Sequence, residues 1–210
     1  MNKFFSDYKK QIFPVGLILI LALSRLIPHP WNFTPVIAVA MMSGYFFKNI
    51  YFSLSILLIA MLIADVFIGF YENMIFVYLS LMFIAFVFFK ISKKINFKNL
   101  FVYSFAGSLI FFMLSNFGVW ILGSPGLDNL PYDKTLNGLI ECYILAIPFF
   151  GNTFLSTLIF AIQGYLFINL YLPGPAPDNF NIFQTPEAVA TILFSVINSH
   201  VRKTMDLVFF

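Results

Sequence analysis

An all-α integral membrane protein of about six transmembrane helices is predicted by three observations. The chain is 60% hydrophobic and only 10% charged, its mean hydropathy is +0.91, and its apolar residues fall in continuous runs. Soluble domains hold roughly 45–50% apolar and about 25% charged residues. Roughly 126 of the 210 residues are apolar, close to the roughly 120 that six spans of about 20 require. A transmembrane barrel would alternate over ten-residue strands instead. The same composition excludes a disordered chain, a nucleic-acid-binding domain and a disulfide-stapled module. Twelve Lys+Arg against nine Asp+Glu give a net charge of only +3, and the lone cysteine, Cys142, has no partner within the chain.

The expected spans are Ile12–Ile27, Pro35–Phe47, Tyr51–Phe70, Met74–Phe89, Leu100–Leu122 and Asn152–Leu172. Together they make a six-helix membrane domain over 1–172. Pro14 near the start of the first span is tolerated in a first helical turn. With the N-terminus inside, the inner segments carry Lys3, Lys9, Lys10, Lys48, Lys90, Lys93, Lys94, Lys98, Arg202 and Lys203. The outer segments carry only Arg25 and Lys134, so the positive-inside rule places both termini in the cytoplasm. The basic start, apolar stretch and Ala22-Leu23-Ser24 also match a signal-peptide pattern, whose cleavage would leave the orientation of the other spans unchanged.

Turn formers from Gly123 to Thr135 predict an outer loop. The apolar stretch after it, 136–148, is interrupted by Asn137, Gly138 and Glu141 and reaches Pro148. It is too short to span and predicts a re-entrant or interfacial segment. The tail at 173–210 opens with P-G-P-A-P and is expected to be either a surface-bound amphipathic helix or poorly ordered.

Polar residues within spans need a reason, because an ionisable group at the bilayer centre costs about 2.5–3.5 kcal/mol even on lenient scales. They cluster toward the outer side: Arg25, Trp31 and Asn32 around the first loop, Asp65 in span three, Asn116 and Trp120 in span five, Glu141 and Asn152 beyond it. This pattern predicts an outward-facing polar cavity for a small solute, with Asp65 and Asn116 as its floor and the segments around Trp31 and Glu141 closing over it. Each residue also has a plainer use. Arg25 can snorkel, Asp65 can pair within the bundle with Arg25, the tryptophans suit an interfacial belt, the asparagines can bond neighbouring helices, and Glu141 can be solvated. His29 between two prolines reads as a rigid loop feature. Asp65 suits a cationic solute and Arg25 an anionic one, so the solute's charge stays open. Ala40 and Gly44 form a small-xxx-small pair that fits either internal packing or docking of a partner. The chain has no P-loop, HExxH, GxSxG or Cys/His cluster, so neither enzymatic activity nor a cofactor or metal is expected.

Four strings occur in order: R-L-I-P-H-P-W-N-F-T-P (Arg25–Pro35) with A-V-A-M-M-S-G, A-D-V-F-I-G-F (Ala64–Phe70) with F-V-Y-L-S, S-N-F-G-V-W (Ser115–Trp120), and T-L-N-G-L-I-E-C-Y-I-L-A-I-P-F-F-G-N-T (Thr135–Thr153). In these the chain resembles a family of small bacterial membrane proteins, the domain of unknown function number 6580, described as candidate transport proteins. That family is similar to the substrate-binding S components of energy-coupling-factor vitamin transporters. The resemblance implies six helices in the bacterial cytoplasmic membrane, capture of a small solute from outside, and a coupling membrane protein with two ATPases. It would assign docking to Ala40 and Gly44 and solute binding to Asn32, Asp65, Asn116, Trp120 and Asn152. A departure falls at Asn152–Thr157, where N-T-F-L-S-T replaces an expected N-T-x-x-G-D and removes a carboxylate. Two other classes of function remain as alternatives: a cell-envelope scaffold without transport activity, and a solitary carrier.

Overall fold

The structure, a computed structural model, describes residues 16, 20–46, 49–92, 95–126 and 130–171. The tail at 173–210 and most of the first expected span lie outside the described residues. In chain order the helices are α1 (20–26), α2 (Val36–Met41), α3 (Ser43–Phe46), α4 (Ile50–Ile68), α5 (Met74–Ile91), α6 (Phe97–Leu122) and α7 (Leu136–Tyr171). Among the described residues four helices are long and apolar enough to cross a membrane: α4, α5, α6 and the 31-residue part of α7 from Leu136 to Leu166.

Each long helix starts or stops for a local reason. The Asn49 side chain accepts the Tyr51 and Phe52 N–H groups at the start of α4, and the Asn96 side chain accepts the Asn99 N–H at the start of α6. Gly69 (φ 101°) and Gly123 (φ 74°) end α4 and α6 in backbone conformations that a side chain would strain. Cross-helix contacts run α4 to α7 as an antiparallel series. Tyr78 reaches Asp65, Asn73 reaches Ser115, and Ser108 reaches Thr153. Small and hydroxylated residues (Ser53, Ala60, Ala64, Ser80, Ala85, Ser104, Ser108) face inward, whereas Val66, Phe67, Phe70 and Phe86 are exposed. A helix apolar on both faces suits lipid on one side and protein on the other.

Two expectations are corrected. The second expected span is not a single helix. It is α2 and α3, broken at Met42 (φ −87°, ψ 7°). Val36, Ile37, Ala38, Ala40 and Met41 are all at most 5% exposed, and α2 touches α4, α5, α6 and α7. Protein covers this broken backbone on all sides, the circumstance in which irregular structure is tolerated at membrane depth. The expected stop at Pro148 is also absent, since α7, 36 residues in all, runs through it. At about 1.5 Å per residue α7 is about 54 Å long, well beyond a hydrocarbon core of about 30 Å. Proline deletes one helix bond, to the Ile144 carbonyl. Contacts on both sides hold the helix against α6. The Cys142 thiol donates to the Asn116 carbonyl, the Tyr143 hydroxyl to Met113, and Phe150 and Phe154 meet Phe105 edge-on.

Ala40 and Gly44 are enclosed, so in this fold their small size serves internal packing and not a docking face. A Cβ on Gly44 would overlap the Phe89 carbonyl, and Ser92 Oγ would lie 2.6 Å from it. A Cβ on Gly107 would meet Ile37 and Met41 at an ordinary 3.8 Å. Gly44→Ala is therefore expected to destabilise by about 1–3 kcal/mol, while Gly107→Ala stays near neutral. Thermal unfolding of the two variants in detergent checks the contrast, and equal melting temperatures would contradict the packing at Gly44.

Candidate functional site

Asp65 lies one turn before the end of α4, is fully buried, and would carry an uncompensated charge without partners. It has two. Arg25 Nη1 stands 2.6 Å from Oδ1, and the Tyr78 hydroxyl donates to Oδ2 at 2.7 Å. The same Nη1 donates to the Met61 carbonyl at 3.4 Å. Arg25 therefore engages α4 at two levels one helical turn apart, and α1 is tied to α4. Gly69 then turns the chain so that Tyr71, before α5, faces the guanidinium. Burial pushes the Tyr71 phenol above its usual value, with the Arg25 charge acting in the opposite direction. Tyr71 remains a neutral donor at physiological pH.

Beside this cluster is a cavity of about 410 Å³. Its polar lining is Arg25, His29, Asn32, Thr34 and Tyr71. Its apolar wall is Val36 and Ile37 of α2, Met61 and Ile68 of α4, Val77 and Leu81 of α5 and Phe111 of α6. The 27–35 loop forms one side and is fixed by named contacts. His29 Nδ1 and the Pro30 carbonyl are 2.8 Å apart, the Ser156 hydroxyl donates to the Asn32 carbonyl at 3.3 Å, and Trp31 stacks on Phe149 at 5.5 Å between centroids. Asn32 takes a left-handed conformation (φ 61°), which asparagine tolerates better than most residues. The cavity lies at the end of the bundle holding the α4–α5 turn, opposite Lys90 and Lys98.

Of the residues singled out in the sequence, the structure gathers Arg25, Asn32 and Asp65 here, with Asp65 behind Arg25 and outside the cavity lining. Trp31 is 72% exposed, on the outside of the same loop. The others lie elsewhere. Asn116 Nδ2 donates to the Phe112 carbonyl of its own helix. Trp120 Nε1 donates to the Asp133 carbonyl, with Lys134 Nζ over its indole ring and against its own carbonyl. Glu141 is exposed, and Asn152 is half-buried on α7 and not among the residues lining the cavity. Asn116 thus does not floor the cavity, and Glu141 does not close over it. The additional participants are His29, Thr34, Tyr71 and Tyr78. Tyr78 stands thirteen residues after Asp65 across a tight helical hairpin, a separation that only the hairpin geometry makes meaningful.

Removing one member of a buried ion pair strands the other, at about 3–5 kcal/mol. Asp65→Ala is expected to lose that much stability, Tyr78→Phe about 1–3 kcal/mol, and the double change Arg25→Met with Asp65→Leu most of neither. Unfolding of the purified variants measures this. A loss in the double variant as large as in Asp65→Ala would show that the pair is not the source.

Comparison with curated proteins and with solved structures gives no match. A family profile described as "Family of unknown function (DUF6580)" matches residues 5–172, which include every element described above. The chain is therefore a member of the DUF6580 family.

Proposed function

We propose that this is a transport protein of the bacterial cytoplasmic membrane that captures a small solute from the outer side, in the manner of an S component. The cavity of about 410 Å³ carries the reading. It falls within the roughly 300–1,000 Å³ of small-molecule sites, and it combines an apolar wall with a few convergent polar groups. A cell-envelope scaffold has no need of such a void. Lys90 and Lys98 at the far end of the bundle favour an outward mouth, with six spans and both termini cytoplasmic.

Energy would come from a coupling membrane protein with two ATPases, since the chain has no P-loop. With Ala40 and Gly44 enclosed, such a partner would use a different face. Affinity purification from the native host, followed by mass spectrometry, is expected to recover that module. A protein recovered alone would leave a solitary carrier, and recovery of cell-wall machinery would favour the scaffold. Val77→Trp, which fills the cavity, is expected to abolish solute-dependent thermal stabilisation while the folded protein persists. Stabilisation unchanged in that variant would remove the cavity from the account.

A further inference from the structure

We infer that the cavity selects an anionic solute with an apolar body, its carboxylate seated on Arg25 and the Tyr71 hydroxyl. This inference rests on the solute-capture reading and adds the solute's chemical class. None of the twelve residues lining the cavity is acidic. The adjacent carboxylate, Asp65, is fully buried, with one oxygen held by Arg25 and the other by Tyr78. Its Oδ1 meets the Arg25 charge without accepting a hydrogen bond. Asp65 is, however, not among the cavity-lining residues and stands behind Arg25, so a cationic or amine-bearing solute in the cavity meets Arg25 first. Arg25 is differently placed. Its ion pair and its bond to Met61 both use Nη1, a further side-chain hydrogen bond joins it to Tyr71, and the side chain, 14% exposed, borders the cavity. A guanidinium has five N–H donors in a planar fork suited to a carboxylate. Thr34, Asn32 and Tyr71 add donors to the lining, and Val77, Leu81 and Phe111 add apolar surface. Asp65 thus orients Arg25 while its own charge is turned away from the solute, and an incoming anion meets the donor edge in a partly desolvated site.

The test uses the full chain in phosphatidylcholine nanodiscs with three matched probes: 3-phenylpropionate, 3-phenylpropionamide and 3-phenylpropylamine. The acid is expected to bind roughly 10- to 100-fold more tightly than the amide, as for hydrogen bonds to a charged group, and the amine most weakly. Arg25→Gln combined with Asp65→Asn, which leaves no stranded charge, is expected to erase the acid's advantage. Tyr71→Phe is expected to reduce it several-fold. Amide or amine binding as tight as the acid would overturn the anion preference and leave solute capture standing. Failure of all three probes and of a broader solute set would overturn both. Acid binding that vanishes when phosphatidylglycerol is added would assign the anion site to a lipid headgroup and overturn the free solute.

Discussion

The contact between Arg25 and Asp65 organises this end of the molecule. A carboxylate with no solvent exposure, one turn from the end of an apolar helix, is tolerable only with an opposing charge and hydrogen bonds. Arg25 supplies the charge beside Oδ1, Tyr78 donates to Oδ2, and Met61 takes a bond from the same guanidinium nitrogen. Three parts of the chain, α1, α4 and α5, are thereby fixed to one point. The 27–35 loop follows within a few residues of Arg25, so its position over the bundle is tied to the same contact.

The rest of the architecture lets short, irregular structure occupy the centre. α2 and α3 hold only 6 and 4 residues, yet they contact the surrounding long helices closely. Glycine and serine make this possible: Gly44 lies against the Phe89 carbonyl, the Ser43 hydroxyl reaches the Ala85 carbonyl, and Gly107 sits beneath Ile37 and Met41. Because the centre is short, space remains between α2 and the ends of α4 and α5, and the polar cluster opens onto it. Packing and site share one cause. A full-length central helix would occupy the volume that the 27–35 loop now borders.

Much of this was legible in the sequence. Continuous apolar runs identified α4, α5 and α6 to within a few residues, because length and hydropathy alone define a span. Rarity exposed Arg25 and Asp65, since a charge in an apolar run always needs a reason, and their pairing was among the expected uses. The break at Met42 was not legible: V-I-A-V-A-M-M-S-G reads as any helix does, and only the surrounding helices make an interruption tolerable. Pro148 misled in the opposite direction, because its local cost is offset by contacts between α6 and α7 that no local pattern reports. Asn116, Trp120 and Glu141 shared an expected depth with the site but not a position around the bundle. Hydropathy fixes depth and carries little information about azimuth.

The central proposal is that the cavity bordered by Arg25, with Asp65 behind it, opens to the outer side of the membrane. Thr34→Cys in a Cys142→Ser background tests it most directly, because Thr34 lines the cavity and Cys142 is buried. A membrane-impermeant thiol reagent applied to intact cells should label position 34, while Ile84→Cys, in the packed core, stays unlabelled. No labelling at position 34, or labelling only after the membrane is permeabilised, would contradict the account.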